Sequence, residues 1–190
     1  MSVGHALPRS FYDRETERVA RELLGAVLEH RVGRGVIRGR IVETEAYLGE
    51  HDAACHAAAG RTARTEPLYG RPGTAYVYFV YGKHWCVNAV TRAVGLPSAV
   101  LIRAVEPLDG IAIMRRRRPA ARGLRGLCDG PAKLCQAFGI DGQKNGADLS
   151  RGPLRILAGD AVPNAAVQCT ARIGITKARD WPLRWIVSRE

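Results

Sequence analysis

The sequence contains no long apolar run and no basic amphipathic stretch, which argues against a membrane as the partner for its positive charge. It contains neither a Gly-x-Gly-x-x-Gly fingerprint nor a Walker loop, so no nucleotide cofactor is indicated, and none of any other kind is expected. Its cysteines are Cys55, Cys86, Cys128, Cys135 and Cys169. They are odd in number and scattered, with no Cys-x-x-Cys pair, which excludes a disulfide framework and a structural zinc site; no metal is expected. Met1 to Pro8 lacks a charged segment followed by an apolar one, so no secretory signal is read and a reducing cytoplasm is expected. There is no repeat and no linker, which leaves one domain over residues 1–190, with residues 1–8 expected to be disordered. Lysine is scarce: only Lys83, Lys133, Lys144 and Lys177.

Arginine makes up the difference. With 29 Lys+Arg against 18 Asp+Glu, the formal net charge is +11, and such a surface attracts polyanions, nucleic acid above all. The arginine fork suits phosphate because it donates two parallel hydrogen bonds. A GC-rich genome would also enrich arginine, so composition alone does not decide. At 46% hydrophobic residues over 190 positions, the chain can bury a core without covalent staples.

Asp13 is suited to cap a helix over Arg14 to Leu24, stopped by Gly25. Strands are predicted over Ala26 to Val32 and Val36 to Tyr47, with a short helix or structured loop from His51 to Ala59 and a Gly/Pro/Arg-rich loop from Arg61 to Gly73. Aromatic and β-branched residues between Thr74 and Asn88 flank Gly82-Lys83-His84, which predicts a protruding β-hairpin with Tyr81 near its tip. A strand follows over Ala99 to Val105, then a helix from Asp109 through Arg115–Arg118, a short helix opened by Gly130-Pro131, and short strands between Leu154 and Val187. Strands in clusters with helices outside them define an α+β class, a curved antiparallel sheet surrounded by short helices.

Alternation over Ile41 to Tyr47 puts Glu43, Glu45 and Tyr47 on one strand face. Taken alone, that pattern describes a solvated surface. An aromatic hairpin, loop arginines and a basic surface alter the reading, because a base-flipping enzyme needs a wedge, π-faces, cations and a carboxylate that activates water. The sequence resembles the alkyladenine (3-methyladenine, or alkylpurine) DNA glycosylases from about Arg9 onward. The likeness is densest in Gly39–Gly49, Tyr76–Asn88, Leu101–Leu108, Gly130–Cys135 and Arg172–Gly174.

The resemblance implies a monofunctional glycosylase of base excision repair. It would act as a monomer on double-stranded DNA with damaged purines, in the cytoplasm on the bacterial nucleoid, and leave an abasic site. It implies Glu45 as the base that deprotonates water, with Arg103 and the Ile173 carbonyl holding that water. Tyr47 and Tyr78 would sandwich the flipped base, His56 would close the pocket through its backbone N–H, and Asn88 would disfavour undamaged guanine. Tyr81 would intercalate, and Arg61, Arg64 and Lys133 would meet the DNA backbone. Tyr76 and Trp85 are read as core aromatics, His5, His51 and His84 as surface residues, Cys55 and Cys86 as inert, and Arg115–Arg118 as either a solvated helix end or a phosphate-contacting face. Ala63 stands where the family commonly has proline, so that loop is expected to be less rigid. With no N-terminal extension, a minimal catalytic core is expected. The rival classes are a binding module for distorted nucleic acid and an enzyme acting on RNA bases.

Overall fold

A computed structural model describes residues 4–188. Its centre is an eight-stranded antiparallel sheet. The strands are β1 (Val27–Val32), β2 (Gly35–Tyr47), β3 (Ala75–Val80), β4 (His84–Thr91), β5 (Ser98–Asp109), β6 (Leu154–Leu157), β7 (Val167–Thr170) and β8 (Arg184–Val187). Six of them run in the order β3-β4-β5-β2-β1-β6, while β8 joins β2 and carries β7 outside it. Strand β2 is long enough to serve two neighbours on one side. Its first half pairs with β1 and its second half with β8, so Glu43, Thr44 and Glu45 lie between β5 and β8. The sheet and its short helices form the α+β arrangement expected from the strand clustering.

Helix α1 (Arg9–Tyr12) and helix α2 (Thr16–Glu22) replace the single helix expected after Asp13, which instead closes α1. Val19, Ala20 and Leu23 bury one side of this segment in the core, and Thr44 on β2 donates its hydroxyl to the Ala20 carbonyl at 2.9 Å. Asp109 likewise ends β5 rather than starting a helix; Gly110, at φ 75°, turns the chain into α3 (Ile111–Arg117). Helix α4 (Pro131–Phe138) begins on Pro131 and stops at Gly139, which takes a left-handed conformation. Of the stretch expected to be disordered, residues 1–3 lie outside the described residues. Residues 4–8 are tied to β6, with Leu7 buried and its N–H donated to the Ile156 carbonyl at 2.9 Å.

Period-2 alternation in β3 divides the apolar material between two clusters. Ala75 and Val77 join the main core with Tyr12, Ile102, Leu134 and Phe138, whereas Tyr76 and Tyr78 face the other way. There Tyr76 packs with Cys55, Leu68, Tyr69 and Ala99, with Tyr47 and Tyr78 against them. This second cluster seats the loop from Leu48 to Gly73 on the outer sheet face, and the candidate site lies at its edge. The hairpin turn is Tyr81-Gly82-Lys83, one residue earlier than the expected Gly82-Lys83-His84, since Val80 pairs with His84. Tyr81 and Gly82 take positive φ (53° and 63°), Lys83 donates its N–H to the Val80 carbonyl at 3.2 Å, and His84 already belongs to β4. Positive φ at the two central positions of a β-turn is uncommon for a tyrosine.

Candidate active site

Strands β2 and β5 position the charged groups. In their register Ile41 meets Val105, Glu43 meets Ala104 and Thr44 meets Ile102, so Val42 and Arg103 are passed over. Such an irregularity re-aims side chains locally. Simple alternation from Ile41 therefore does not hold; Ile41 lies in the main core with Ala46, and Glu43 and Glu45 both reach Arg103.

The solvated-surface reading of these carboxylates does not hold: arginines of β5 and β8 pair with them, and the loop carrying Ile173 reaches Glu45. The Glu45 side chain is 0% exposed. Its Oε2 accepts from the Tyr47 hydroxyl at 2.8 Å and lies 3.2 Å from Arg103 Nη1, and its Oε1 accepts the Ile173 N–H at 3.0 Å. Arg103 Nε donates to Glu43 Oε1 at 2.9 Å, and Arg184 Nε donates to the same oxygen at 2.7 Å. Two carboxylates and two arginines thus alternate in a nearly buried chain. Burial and the negative Glu45 beside it push the Tyr47 phenol well above its ordinary range, so its hydroxyl stays a donor.

A cleft of about 1020 Å³ opens above Glu45. Tyr47, His56, Tyr76, Tyr78, Asn88, Arg103 and Ile173 line it, and Tyr81 and Arg64 border it. Glu45 itself lies just beneath this lining, in contact with three of its residues. His56 Nδ1 is 2.8 Å from the Tyr76 hydroxyl, and its ring meets Tyr78 edge-on at 4.4 Å. Burial, reinforced by the Arg64 cation, lowers the His56 pKa below its usual 6.5, so the imidazole is neutral near pH 7. Asn88 is buried, with Nδ2 donating to the Tyr76 carbonyl at 3.1 Å. Tyr81 is 80% exposed at the hairpin tip, an unusual position for so large an aromatic.

The structure thus gathers Glu45, Arg103, Ile173, Tyr47, Tyr78, His56 and Asn88 around one cleft. Ile173 touches Glu45 through its N–H; the sequence reading had invoked its carbonyl. Arg64 borders the cleft, its Cζ 5.8 Å from the Tyr78 ring centroid. Arg61 and Lys133 do not line it: Arg61 pairs with Glu66 at 2.7 Å and Lys133 with Asp129 at 2.9 Å. In the arginine run, Arg117 and Arg118 bind Ala137 and Gln136 of α4, and only Arg115 and Arg116 are exposed. Cys55 and Cys86 are buried, which raises both thiols and keeps them protonated. Among the described residues, no three His, Cys, Asp or Glu side chains are grouped to hold a metal ion, and no helix is long and apolar enough to cross a membrane.

Sequence reasoning missed three residues. Tyr76, read as a core aromatic, is buried but also lines the cleft and holds His56. Asp52 and Arg172 form a fully buried ion pair behind Tyr47. Arg172 stands beside Ile173 in a short motif, but nothing local links it to Asp52, 120 positions earlier.

The site is thus a cleft walled by tyrosines above a buried, ion-paired carboxylate, on a strongly basic chain. Comparison with known proteins gives its family. The Methylpurine-DNA glycosylase (MPG) family matches residues 10–190. A protein of Methanocella arvoryzae is 50% identical over 179 residues, covering 94% of this chain and 88% of its own. One of Koribacter versatilis is 46% identical over 186 residues (96% and 89%), and one of Myxococcus xanthus 49% over 175 (92% and 84%). Each is named "Putative 3-methyladenine DNA glycosylase". The chain belongs to the methylpurine-DNA glycosylase family. It is a DNA glycosylase, a hydrolase of N-glycosyl bonds that serves DNA repair.

Proposed function

We propose that this enzyme excises alkylated purines, 3-methyladenine and 7-methylguanine first among them, from double-stranded DNA. In this reading the damaged nucleotide is extruded into the cleft, Tyr81 fills the gap in the stack, and Tyr47 and Tyr78 hold the base between them. Glu45 takes a proton from water, the water oxygen bonds to C1′ of the deoxyribose, and the C1′–N bond breaks with its electron pair leaving on the base. The products are free base and an abasic site. No lysine stands at a matched position for strand cleavage, so the reaction ends there.

The observation that carries this reading is the carboxylate of Glu45, wholly buried yet held by Tyr47, Arg103 and Ile173 at the floor of the aromatic cleft. A 3- or 7-methylated purine is a cation, which favours electron-rich walls by about 0.5–2 kcal/mol and leaves readily. Hypoxanthine and ethenoadenine fit the same slot but are neutral, so they leave only once protonated; neutral His56 is not poised to supply that proton. Asn88 closes the side of the slot where the amino group of undamaged guanine would lie. Arg64 and, further out, Arg61 and Lys133 face the phosphates. The protein works as a monomer in the cytoplasm, at the nucleoid.

The test is Glu45→Gln in single-turnover excision on a duplex with one defined lesion. Affinity for the lesion should survive while base release falls by about 10²–10⁴, the range of general-base catalysis. Excision at the wild-type rate overturns the assignment. Alkali-labile sites formed in alkylated DNA above a no-enzyme control separate the enzyme from a binding module, and matched DNA and RNA strands separate it from an RNA-directed enzyme.

A further inference from the structure

Two loops flank the cleft above Glu45: Leu48 to Ala54, which follows β2, and the loop that carries Ile173. One ion pair joins them. The side chains of Asp52 and Arg172 are both 0% exposed. The guanidinium forks the carboxylate, Nη1 to Oδ2 at 2.5 Å and Nη2 to Oδ1 at 2.8 Å. Asp52 also accepts the N–H groups of Leu48 and Ala54, at 3.1 and 3.0 Å, and so shapes its own loop. Arg172 Nη1 donates in addition to the carbonyl of Ala46, the residue between Glu45 and Tyr47, at 3.0 Å. Its Cζ lies 4.8 Å from the Tyr47 ring centroid. Tyr47 lines the cleft and Arg172 does not, so the cation backs the tyrosine wall from behind. The next residue, Ile173, delivers its N–H to Glu45.

An ion pair buried this deeply contributes little net stability, because desolvation of both charges offsets their attraction. What it does supply is direction: the fork fixes one relative placement of the two loops. We infer that Asp52 and Arg172 are the positioning pair of this active site, setting together the Tyr47 wall and the Ile173 N–H on Glu45, and through them the rate of glycosyl-bond cleavage. Neither touches the substrate. The inference rests on the proposed role of Glu45, so its test includes that residue as a reference.

Excision of 7-methylguanine from a duplex is followed with enzyme in excess, giving the chemical rate and the lesion affinity separately. Asp52→Asn keeps the size but removes the charge and one of the two carboxylate oxygens, so only one of the Leu48 and Ala54 N–H groups keeps its acceptor. Arg172→Lys keeps the charge but loses the fork, the Ala46 bond and the planar stack on Tyr47. Both should lower the chemical rate about 10²-fold, the usual consequence of a misplacement near 1 Å, while affinity for undamaged duplex stays unchanged. Glu29→Gln is the control. Glu29 is a 0%-exposed carboxylate held by Arg31, Arg38 and Arg155. Its partner Arg38 lies roughly 20 Å up β2 from Glu45 at ~3.3 Å per residue, so this variant should lower the melting temperature and leave the chemical rate alone. Wild-type rates in Asp52→Asn and Arg172→Lys beside an inactive Glu45→Gln overturn the positioning role and spare the base; an active Glu45→Gln overturns the base itself. Equal slowing in Glu29→Gln overturns positioning in favour of general destabilisation. If Asp52→Asn does not fold, Arg172→Lys decides.

Discussion

Replacing Arg103 with methionine removes a cation and keeps most of the bulk of its stem. Glu45 would then retain only the Tyr47 hydroxyl and the Ile173 N–H, while Glu43 would still be held by Arg184 at 2.7 Å. The gross attraction lost, for charges 3.2 Å apart, is about 5 kcal/mol at an effective dielectric near 20. Desolvation of the pair offsets most of that in the native protein. What the substitution reads is instead the cost of stranding a carboxylate that is 0% exposed, about 3–5 kcal/mol. For a domain of this size each kcal/mol moves the melting temperature by about 2–4 °C, so a fall of roughly 6–20 °C is expected. Urea unfolding of wild type, Arg103→Met, Glu45→Gln and the double variant closes a thermodynamic cycle. In the double variant no charge is stranded, so most of the loss should return, giving a coupling of about 2–3 kcal/mol. A coupling within about 0.5 kcal/mol of zero, with unchanged m-values, would refute the view that Arg103 and Glu45 act as one buried unit.

Tyr81→Ser should leave stability nearly untouched, because the side chain is 80% exposed, yet slow excision at low enzyme by weakening base extrusion; equal excision by the two proteins would remove the wedge. Arg64→Gln should reduce the slope of log affinity against log salt by about 0.9, the share of one phosphate contact. Arg61→Gln should reduce it less, since Glu66 already engages that guanidinium, and an unaltered slope for Arg64→Gln counts against a backbone contact there. Stability should also depend on pH in a definite sense. Burial lowers both His30 and His56 below the usual 6.5, so below that pH the unfolded chain binds more protons than the folded one. Stability is therefore full above about pH 6.5 and declines as pH falls through it. Asp52, Glu29 and Asp148, held low by their arginine and hydrogen-bond partners against the cost of burial, add a second loss only below the ordinary carboxylate range. Urea unfolding at a series of pH values tests this, and a level stability between about pH 7 and pH 5 would contradict the histidine contribution.

What could be read from the chain alone was what short-range pattern encodes. The aromatic alternation of Tyr76, Tyr78 and their β-branched neighbours specified a hairpin, and the observed β3–β4 pairing follows it within a residue or two. The turn was misplaced because the sequence signal there is glycine alone; that Tyr81 shares the left-handed conformation depends on the geometry of the pair. Capping signals were weaker still. Asp13 and Asp109 are good N-cap residue types, but the first closes a helix and the second ends a strand whose partner, Arg38, lies 71 positions away. Tertiary pairing overrides a preference worth about 1 kcal/mol.

The same division runs through the site. Glu45 and Tyr47 are two apart on one strand, so their shared direction was legible, but their burial was not. It arises where β8 pairs with β2, Arg184 opposite Glu45, and the loop before β8 brings the Ile173 N–H to the carboxylate, contacts that no periodicity announces. Without β8 and the loop before it the two carboxylates would be a solvated strand face, the ordinary meaning of such a pattern. With both in place, each carboxylate must have a cation, and Arg103 and Arg184 come from strands whose places in the sheet only the folded topology sets. Asp52 and Arg172 carry the point furthest. Neither belongs to a periodic element, and each alone reads as a loop charge on a basic surface. Together they are buried to 0% exposure, so each charge is compensated only when the two loops beside the cleft are brought together. An active-site carboxylate in this fold is thus held by residues that acquire meaning only as pairs.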